Sequence, residues 1–209
     1  MSKLEYKIIG DKYPVLVMDN FYNEKEYKQI WHELDGYNLN TCLWQTNLED
    51  SERAKDSKGN SLATNSRIYL DRMFNNSFRQ VSFILSNYVK LMSEPVLDVY
   101  KKMSPPTRNI TSVNTDYSMI SYYDNNEKYD FHKDRATHSA LWWTYKEPKS
   151  FNGGDLIFKD GGFDIECINN RMIMFPSFYY HASSPVKIVK NKKDKLGKYT
   201  ISHFFNINI

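Results

Sequence analysis

Residues 129–134 read YDFHKD, and no other stretch of the chain carries as much chemical information. Side chains two positions apart on a strand point to the same face, so His132 and Asp134 can bind one metal ion while Lys133 points away. After a gap of 46 residues comes His181, in FPSFYYHAS at 175–183. Two imidazoles and one carboxylate form the facial triad that binds non-haem Fe(II) and leaves coordination positions open. The spacing therefore predicts a metal centre.

The remaining histidines lack such a context. His32 lies in a predicted helix and His203 lies on the last predicted strand, so we expect structural or exposed roles for both. An alternative would place His138 on the metal instead of His132. His138 has no paired carboxylate on the same strand face, and the spacing favours His132.

The sequence around the two metal motifs follows a definite order. After the first motif come HSALWWTY (138–145), GGDLIF (153–158), RMIMFP (171–176) just before His181, and finally GKYTISHFF (197–205). This order resembles the 2-oxoglutarate/Fe(II)-dependent dioxygenases, and within them the prolyl 4-hydroxylase-like branch. The resemblance covers roughly residues 115–207, and the N-terminal half shows no matching motif.

The resemblance implies a co-substrate site beside the metal. Lys198 stands where the family carries the basic residue that pairs with the far carboxylate of 2-oxoglutarate. Strand alternation predicts that Lys198 and Thr200 face the barrel interior while Tyr199 and Ile201 face the other way. The family positions of residues that contact the co-substrate fall on Tyr122, Trp143 and Leu156.

The substrate side is less well defined. Tyr129 matches a tyrosine at the mouth of the family's site, Arg135 follows the metal motif, and Arg67 and Trp44 lie near the edges of a polar stretch. That stretch, residues 45–66, is interpreted as a long loop that either closes over a substrate or is disordered.

The resemblance implies Fe(II), 2-oxoglutarate and O2, with ascorbate as a reductant, and succinate and CO2 as co-products of hydroxylation at an unactivated C–H bond. The expected substrate is a prolyl residue of a peptide or protein. The first alternative is the same chemistry on a small molecule, sugar or nucleobase. A cupin-like metal-binding protein without catalysis is the second.

The element pattern predicts an α+β protein with helices first and strands afterwards. A strand is expected within 13–21, a helix from the Asn23 cap to about Asp35, and a second helix over 77–93 with a core-facing apolar stripe. Strands dominate from about residue 112. We predict one domain, 1–209, with an N-terminal strand and supporting helices (1–111) and a catalytic core (112–209). That core is a double-stranded β-helix, a cupin-like jelly-roll barrel.

Composition limits the partners. The net charge of +3 over 209 residues predicts no general attraction to nucleic acid or membranes, which leaves a peptide, protein or small molecule as the partner. Two cysteines form no disulfide framework, and no signal peptide or long apolar run is visible, so a cytoplasmic location is expected. The oligomeric state is left open.

Overall fold

The structure is a computed structural model that describes residues 3–37, 53–74, 77–189 and 197–208. Its helices are α1 (Glu24–Gly36), α2 (Leu70–Met73), α3 (Phe83–Asn87) and α4 (Glu94–Tyr100), with 3-10 turns at Arg79–Val81, Tyr88–Met92 and Pro105–Ser112. Its strands are β1 (Glu5–Ile9), β2 (Val15–Asp19), β3 (Ser66–Tyr69), β4 (Thr115–Tyr123), β5 (Tyr129–His132), β6 (His138–Thr144), β7 (Phe151–Gly153), β8 (Leu156–Phe158), β9 (Phe163–Ile165), β10 (Arg171–Pro176), β11 (His181–Ser183), β12 (Val186–Ile188) and β13 (Lys198–Asn206).

The strands form two principal sheets. Seven strands lie in the order β1-β2-β10-β6-β13-β4-β3, four lie in the order β5-β11-β8-β9, and β12 pairs with β7. Neighbouring strands are antiparallel throughout these pairings. The two sheets share one apolar cluster, which contains Val17 and Phe175 of the large sheet and Phe158 of the small one. The predicted α+β jelly-roll architecture is confirmed, although its sheets do not close into a complete ring.

The large sheet is covered on both faces, and the alternation of its strands explains why. On β6, Trp142 packs against the helices while Trp143 points toward the small sheet. Both indoles are almost completely buried. Every residue of this strand is buried, and its central residues, ALWW at 140–143, are apolar on both faces. Each fully buried large side chain stabilises the fold by roughly 1.5–3 kcal/mol, so both faces of this sheet contribute to stability.

Helix α1 begins where the sequence predicts it. Asn23 accepts a hydrogen bond from the Glu26 backbone, and the Glu26 carboxylate accepts one from the Asn23 N–H, which forms a capping box. The buried face of the helix carries Ile30, Trp31 and Leu34. This helix therefore covers the side of the large sheet that lies away from the metal motif.

The single helix predicted over 77–93 is wrong. The segment is divided into two 3-10 turns with α3 between them, because Ser82 caps a new helix by accepting from the Leu85 N–H. Three residues of the predicted buried stripe, Phe78, Val81 and Val89, are instead more than half exposed.

The N-terminal part contributes more than supporting helices. Three of its strands, β1, β2 and β3, join the large sheet, and only the second was predicted. Within the polar stretch 45–66, residues 45–52 lie outside the described residues. Residues 54–62 form a hairpin with a bridge between Lys55 and Ser61, and Leu62 accepts a hydrogen bond from the Asp130 N–H beside the metal motif. Among the described helices, none combines the length and apolarity needed to cross a membrane.

Candidate metal centre and co-substrate cavity

The two histidines of the predicted triad form a cross-strand pair. His132 ends β5, and His181 begins β11 directly opposite it in the antiparallel register. Their ring centroids lie 4.4 Å apart. Directly opposed residues of an antiparallel pair have neighbouring side chains. The sheet therefore brings together two imidazoles that are far apart in sequence.

Asp134 lies just beyond the end of β5, and other contacts hold it in place. Its backbone N–H donates to the Ser177 carbonyl over 3.1 Å. The Ser139 hydroxyl donates to Asp134 Oδ2 over 2.6 Å. Asp134 Oδ1 lies 3.3 Å from His132 Nε2, and Oδ2 lies 3.6 Å from His181 Nε2. The carboxylate therefore faces both imidazoles.

Hydrogen bonds set the orientation of both imidazoles. His132 Nδ1 lies 2.8 Å from the Asp130 carbonyl and His181 Nδ1 lies 2.9 Å from the Tyr179 carbonyl, so each Nδ1–H donates to a backbone oxygen. The Nε2 lone pairs are then free to coordinate. Burial lowers the pKa of His181 to about 4, which keeps its ring neutral. Burial alone would raise the pKa of Asp134, but the two imidazoles hold it below its usual value.

The donor set fits a first-row metal ion. One ligand atom from each of the three residues lies within 4.8 Å of the others. Ligands about 2.1 Å from one ion at right angles lie about 3 Å apart, so small side-chain adjustments suffice. Two neutral nitrogens and one anionic oxygen on one side of the ion form the arrangement typical of non-haem Fe(II).

A stack of three side chains supports one of the ligands. The Tyr129 ring lies flat on the His132 imidazole, with centroids 3.5 Å apart and planes inclined by 11°. The Arg67 guanidinium lies 4.9 Å from the centre of the Tyr129 ring. Arg67 is almost completely buried. The stack therefore restricts rotation of His132, and it places Tyr129 and Arg67 near the metal centre.

Lys198 is a buried cation beside the triad. Only 1% of it is exposed, and its ammonium donates to the Gly154 carbonyl and, over 3.0 Å, to the Ser183 hydroxyl. Burial lowers its pKa, while Cys167 and Asp155 act in the opposite direction. Nevertheless, the ammonium forms no ion pair with any residue that the structure describes. An unpaired buried charge is costly, so this ammonium is suited to an anion that enters from outside.

The inner cavity, lined by Tyr123, Trp143, Leu156, Lys198 and Thr200 together with the triad, connects the ammonium to the metal centre. The Thr200 hydroxyl is buried there without a hydrogen-bond partner among the described residues. These groups fit 2-oxoglutarate, whose far carboxylate needs a cation and a hydroxyl donor. The residues Met119, Ser121, Leu141 and Ser202 also line this cavity and were not predicted.

Gly154 allows this arrangement. It has a φ of +77°, and a Cβ there would lie 3.0 Å from Lys198 Cδ. A larger residue would therefore be strained and would also push against the lysine that donates to its carbonyl. The second glycine of the pair at 153–154 is therefore needed both for the backbone conformation and for the space around Lys198.

The prediction for Tyr122 requires a correction. Its cross-strand partner on β13 is Tyr199, and both rings belong to the cluster beneath the helices. The Tyr122 hydroxyl accepts from the Gly197 N–H over 3.0 Å, outside the inner cavity. Of these two neighbours on β4, Tyr123 is the one that lines the cavity, because it is opposite Lys198 in the register. Its ring centre lies 4.8 Å from the Lys198 ammonium.

The outer groove is a cavity of about 890 Å³ at the open side of the triad, bounded by the 54–62 hairpin, by α2 and by the segment 129–135. Three residues predicted on the substrate side, Arg67, Tyr129 and Arg135, line it. The fourth, Trp44, lies outside the described residues. Tyr129 and Asp134 line both the groove and the inner cavity, which therefore meet at the metal centre.

The other histidines lie away from the metal centre. His138 is buried, with its Nε2 2.8 Å from Asn109 Oδ1 and its Nδ1 2.9 Å from the Tyr100 hydroxyl. His203 contacts the Ser118 hydroxyl on the helix side, and His32 is exposed on α1. The alternative in which His138 replaces His132 is therefore wrong.

Solved structures with the same fold include a prolyl-4-hydroxylase from Pseudomonas putida, with a TM-score of 0.56, 12% identity and 94% of each chain covered. The viral collagen prolyl hydroxylase from Paramecium bursaria Chlorella virus-1, solved with 2OG, has a TM-score of 0.52 at 12% identity and covers 91% of this chain and 94% of its own. A prolyl 4-hydroxylase from Phytophthora capsici has a TM-score of 0.57 at 12% identity and covers 94% of this chain and 59% of its own.

No family model matches the chain, and no curated protein matches its sequence. At this level of identity the structural likeness establishes the fold, which is the double-stranded β-helix of the prolyl 4-hydroxylases. The fold predicted from the order of the motifs is thereby confirmed.

Proposed function

We propose that this protein is an Fe(II)- and 2-oxoglutarate-dependent dioxygenase that hydroxylates a prolyl residue of a peptide or protein. The observation that carries the proposal is the Lys198 ammonium, which is buried next to a His-Asp-His triad and forms no ion pair within the described part of the chain. The cation supplies a partner for an anionic ligand beside the metal, which binding of the metal alone does not require. When bound together, Fe(II), 2-oxoglutarate and O2 supply hydroxylation of an unactivated C–H bond, with succinate and CO2 as co-products.

The residues of the chain have distinct roles in this proposal. His132, Asp134 and His181 would bind Fe(II), and their position at one side would leave sites for the co-substrate and O2. Lys198 and Thr200 would bind the far carboxylate of 2-oxoglutarate in a charge-assisted interaction.

Apolar side chains complete the co-substrate site. Trp143 and Leu156 line the inner cavity between the ammonium and the triad and are almost fully buried. They would exclude water from the co-substrate and hold its chain in one orientation. A dry cavity also strengthens the interaction between the ammonium and the carboxylate.

The outer groove supports a peptide substrate. Its volume of about 890 Å³ lies near the upper end of ordinary ligand sites, and aromatic rings form much of its wall. Aromatic grooves are a common surface for proline-containing segments, which enter with little loss of conformational entropy. The structural neighbours named above are prolyl hydroxylases, which supports the same substrate class.

The decisive experiment measures succinate formation from 2-oxoglutarate with Fe(II) and ascorbate under air, first without and then with proline-containing peptides. We expect turnover that peptides stimulate, and mass spectrometry should find one added oxygen on proline. His132→Ala should abolish turnover, and Lys25→Ala, an exposed change on α1, should leave it intact.

Two other results would contradict the proposal in different ways. Binding of 2-oxoglutarate and Fe(II) without peptide hydroxylation, together with turnover on a sugar, nucleobase or other small molecule, would replace the prolyl substrate. Absence of 2-oxoglutarate binding to the Fe(II)-loaded protein would refute the oxygenase and leave a cupin-like metal-binding protein.

A further inference from the structure

We propose that the outer groove selects acidic peptides, and that Lys133 and Arg135 bind a carboxylate on a residue next to the one that is hydroxylated. The inference rests on the proposed function, since it concerns the substrate of the same site. It goes further by assigning the sign of the substrate's charge and the two residues that recognise it.

The first observation is the position of the two cations. Lys133 and Arg135 immediately precede and follow the ligand Asp134, and both side chains are exposed and line the groove. Neither forms an ion pair with any residue that the structure describes. A substrate placed at the metal must therefore pass two cations whose charges remain available.

The second observation is the charge balance of the groove. Three carboxylates line it, and all are engaged. Asp134 faces the two imidazoles, Asp71 pairs with Arg79, and Asp56 accepts hydrogen bonds from the backbone of its own turn. Five basic side chains line it, and although Arg67 and Arg72 are engaged with tyrosine rings, Lys55, Lys133 and Arg135 form no ion pair with a residue that the structure describes. Among the described residues, the groove therefore has an excess of positive charge, although the whole chain carries only +3.

The rings of the groove favour a peptide over a nucleic acid. Binding of single strands needs a series of aromatic faces on which bases stack. Here Tyr117 already stacks on Phe204, with centroids 4.7 Å apart, and Tyr129 stacks on His132. Arg72 covers one face of Tyr69 at 4.1 Å. Such paired rings form an apolar wall. An acidic peptide can pack its apolar side chains against this wall and pair its carboxylates with the cations.

The test uses heptapeptides with a central proline and either alanine, aspartate or lysine on both sides of it. For the wild type we expect kcat/KM for the aspartate peptide to exceed that for the alanine peptide by about 10-fold at low salt, and the ratio to fall as salt screens the charges. Lys133→Glu and Arg135→Glu should each reduce this ratio by about 5-fold, and the double variant should prefer the lysine peptide. Lys25→Glu, the same charge change on α1, should keep the wild-type ratio.

A second measurement does not depend on catalysis. Fluorescence anisotropy of the same labelled peptides on the metal-free protein should give the same order of affinities and the same reversal in the double variant. Equal affinities and equal rates for the three peptides, with 2-oxoglutarate turnover intact, would refute the selection of acidic peptides and leave the proposed oxygenase function standing. Stimulation of succinate formation by a single-stranded DNA oligonucleotide, and by none of the peptides, would overturn it in favour of a nucleic acid. Failure to bind 2-oxoglutarate would refute the proposed function and this inference with it.

Discussion

Replacing Lys198 by methionine would separate the proposed binding of 2-oxoglutarate from the stability of the fold. Methionine has a similar length and no charge, so Lys198→Met removes the ammonium while it fills most of the same volume. The free protein loses the hydrogen bonds to Gly154 and Ser183 but no longer buries a charge that has no ion pair among the described residues. Ionic hydrogen bonds contribute roughly 1.5–3 kcal/mol each, and desolvation of one ion costs several kcal/mol. We therefore expect the free energy of unfolding to change by less than about 2 kcal/mol.

The effect on the co-substrate is much larger. Removing one partner of a buried charge pair costs about 2–5 kcal/mol, so Kd for 2-oxoglutarate should rise by at least about 30-fold. At a concentration of 100 times the wild-type Kd, the ligand stabilises the wild type by about 2.7 kcal/mol. The same concentration should stabilise Lys198→Met by only about 1 kcal/mol or less.

The assay is thermal unfolding of the Fe(II)-loaded protein under anaerobic conditions, with and without 2-oxoglutarate, together with calorimetric titration. Lys187→Met, a change at an exposed lysine of β12, is the matched control and should respond like the wild type. If Lys198→Met binds 2-oxoglutarate with a Kd within threefold of that of the wild type, Lys198 does not bind the co-substrate carboxylate. A variant that fails to fold would show that the ammonium is structural, and Thr200→Val would then test the same carboxylate site.

Three further predictions concern the surroundings of the metal centre and the core. Ser139→Ala removes the hydroxyl that donates to the carboxylate ligand, so metal affinity measured by competition with a chelator should fall about 10-fold or more; unchanged affinity would contradict this role. Tyr129→Leu removes the ring stacked on His132 and should weaken metal binding severalfold, whereas Tyr129→Phe should not, and equal affinities would exclude the stack as the cause. Burial lowers the pKa of His138 to about 4, so the unfolded chain binds a proton that the folded chain does not. Stability should therefore fall between pH 6.5 and pH 4, by about 3 kcal/mol at pH 4, and urea unfolding of His138→Gln should show a smaller loss across this range.

The grouping of His132, Asp134 and His181 could be predicted from the sequence because the chemistry of a metal site is restrictive. Few residue types coordinate iron, and the alternation of a strand places His132 beside Asp134 without knowledge of the fold. The inward direction of Lys198 also follows from alternation, since the next residue, Tyr199, is aromatic and packs beneath the helices. His181 is distant in sequence, and it reaches the same site if its own strand pairs with β5.

Other features depend on contacts that the sequence does not specify. Phe78, Val81 and Val89 have helical spacing, yet all three are exposed because the helix is interrupted at Ser82. The local sequence does not show whether a cap at Ser82 or one continuous helix is the more stable. The positive outer groove likewise cannot be seen in the overall charge of +3, because α2, the 54–62 hairpin and β5 assemble it from separate parts of the chain.

Tyr123 lines the cavity in place of the predicted Tyr122, which shows that sheet register determines which side chains line a site. Tyr122 and Tyr123 are chemically equivalent candidates, and the resemblance to the family favours the first. In antiparallel strands, however, directly opposed residues point to the same face, and Lys198 is opposite Tyr123. Once Lys198 is assigned to the cavity, its partner must share that cavity, and the neighbour on the same strand must point away. Alternation therefore fixes the choice only after the pairing of β4 with β13 is known. The same reasoning predicts that Tyr123→Phe alters 2-oxoglutarate affinity more than Tyr122→Phe does, and calorimetric titration of the two variants would detect the reverse order.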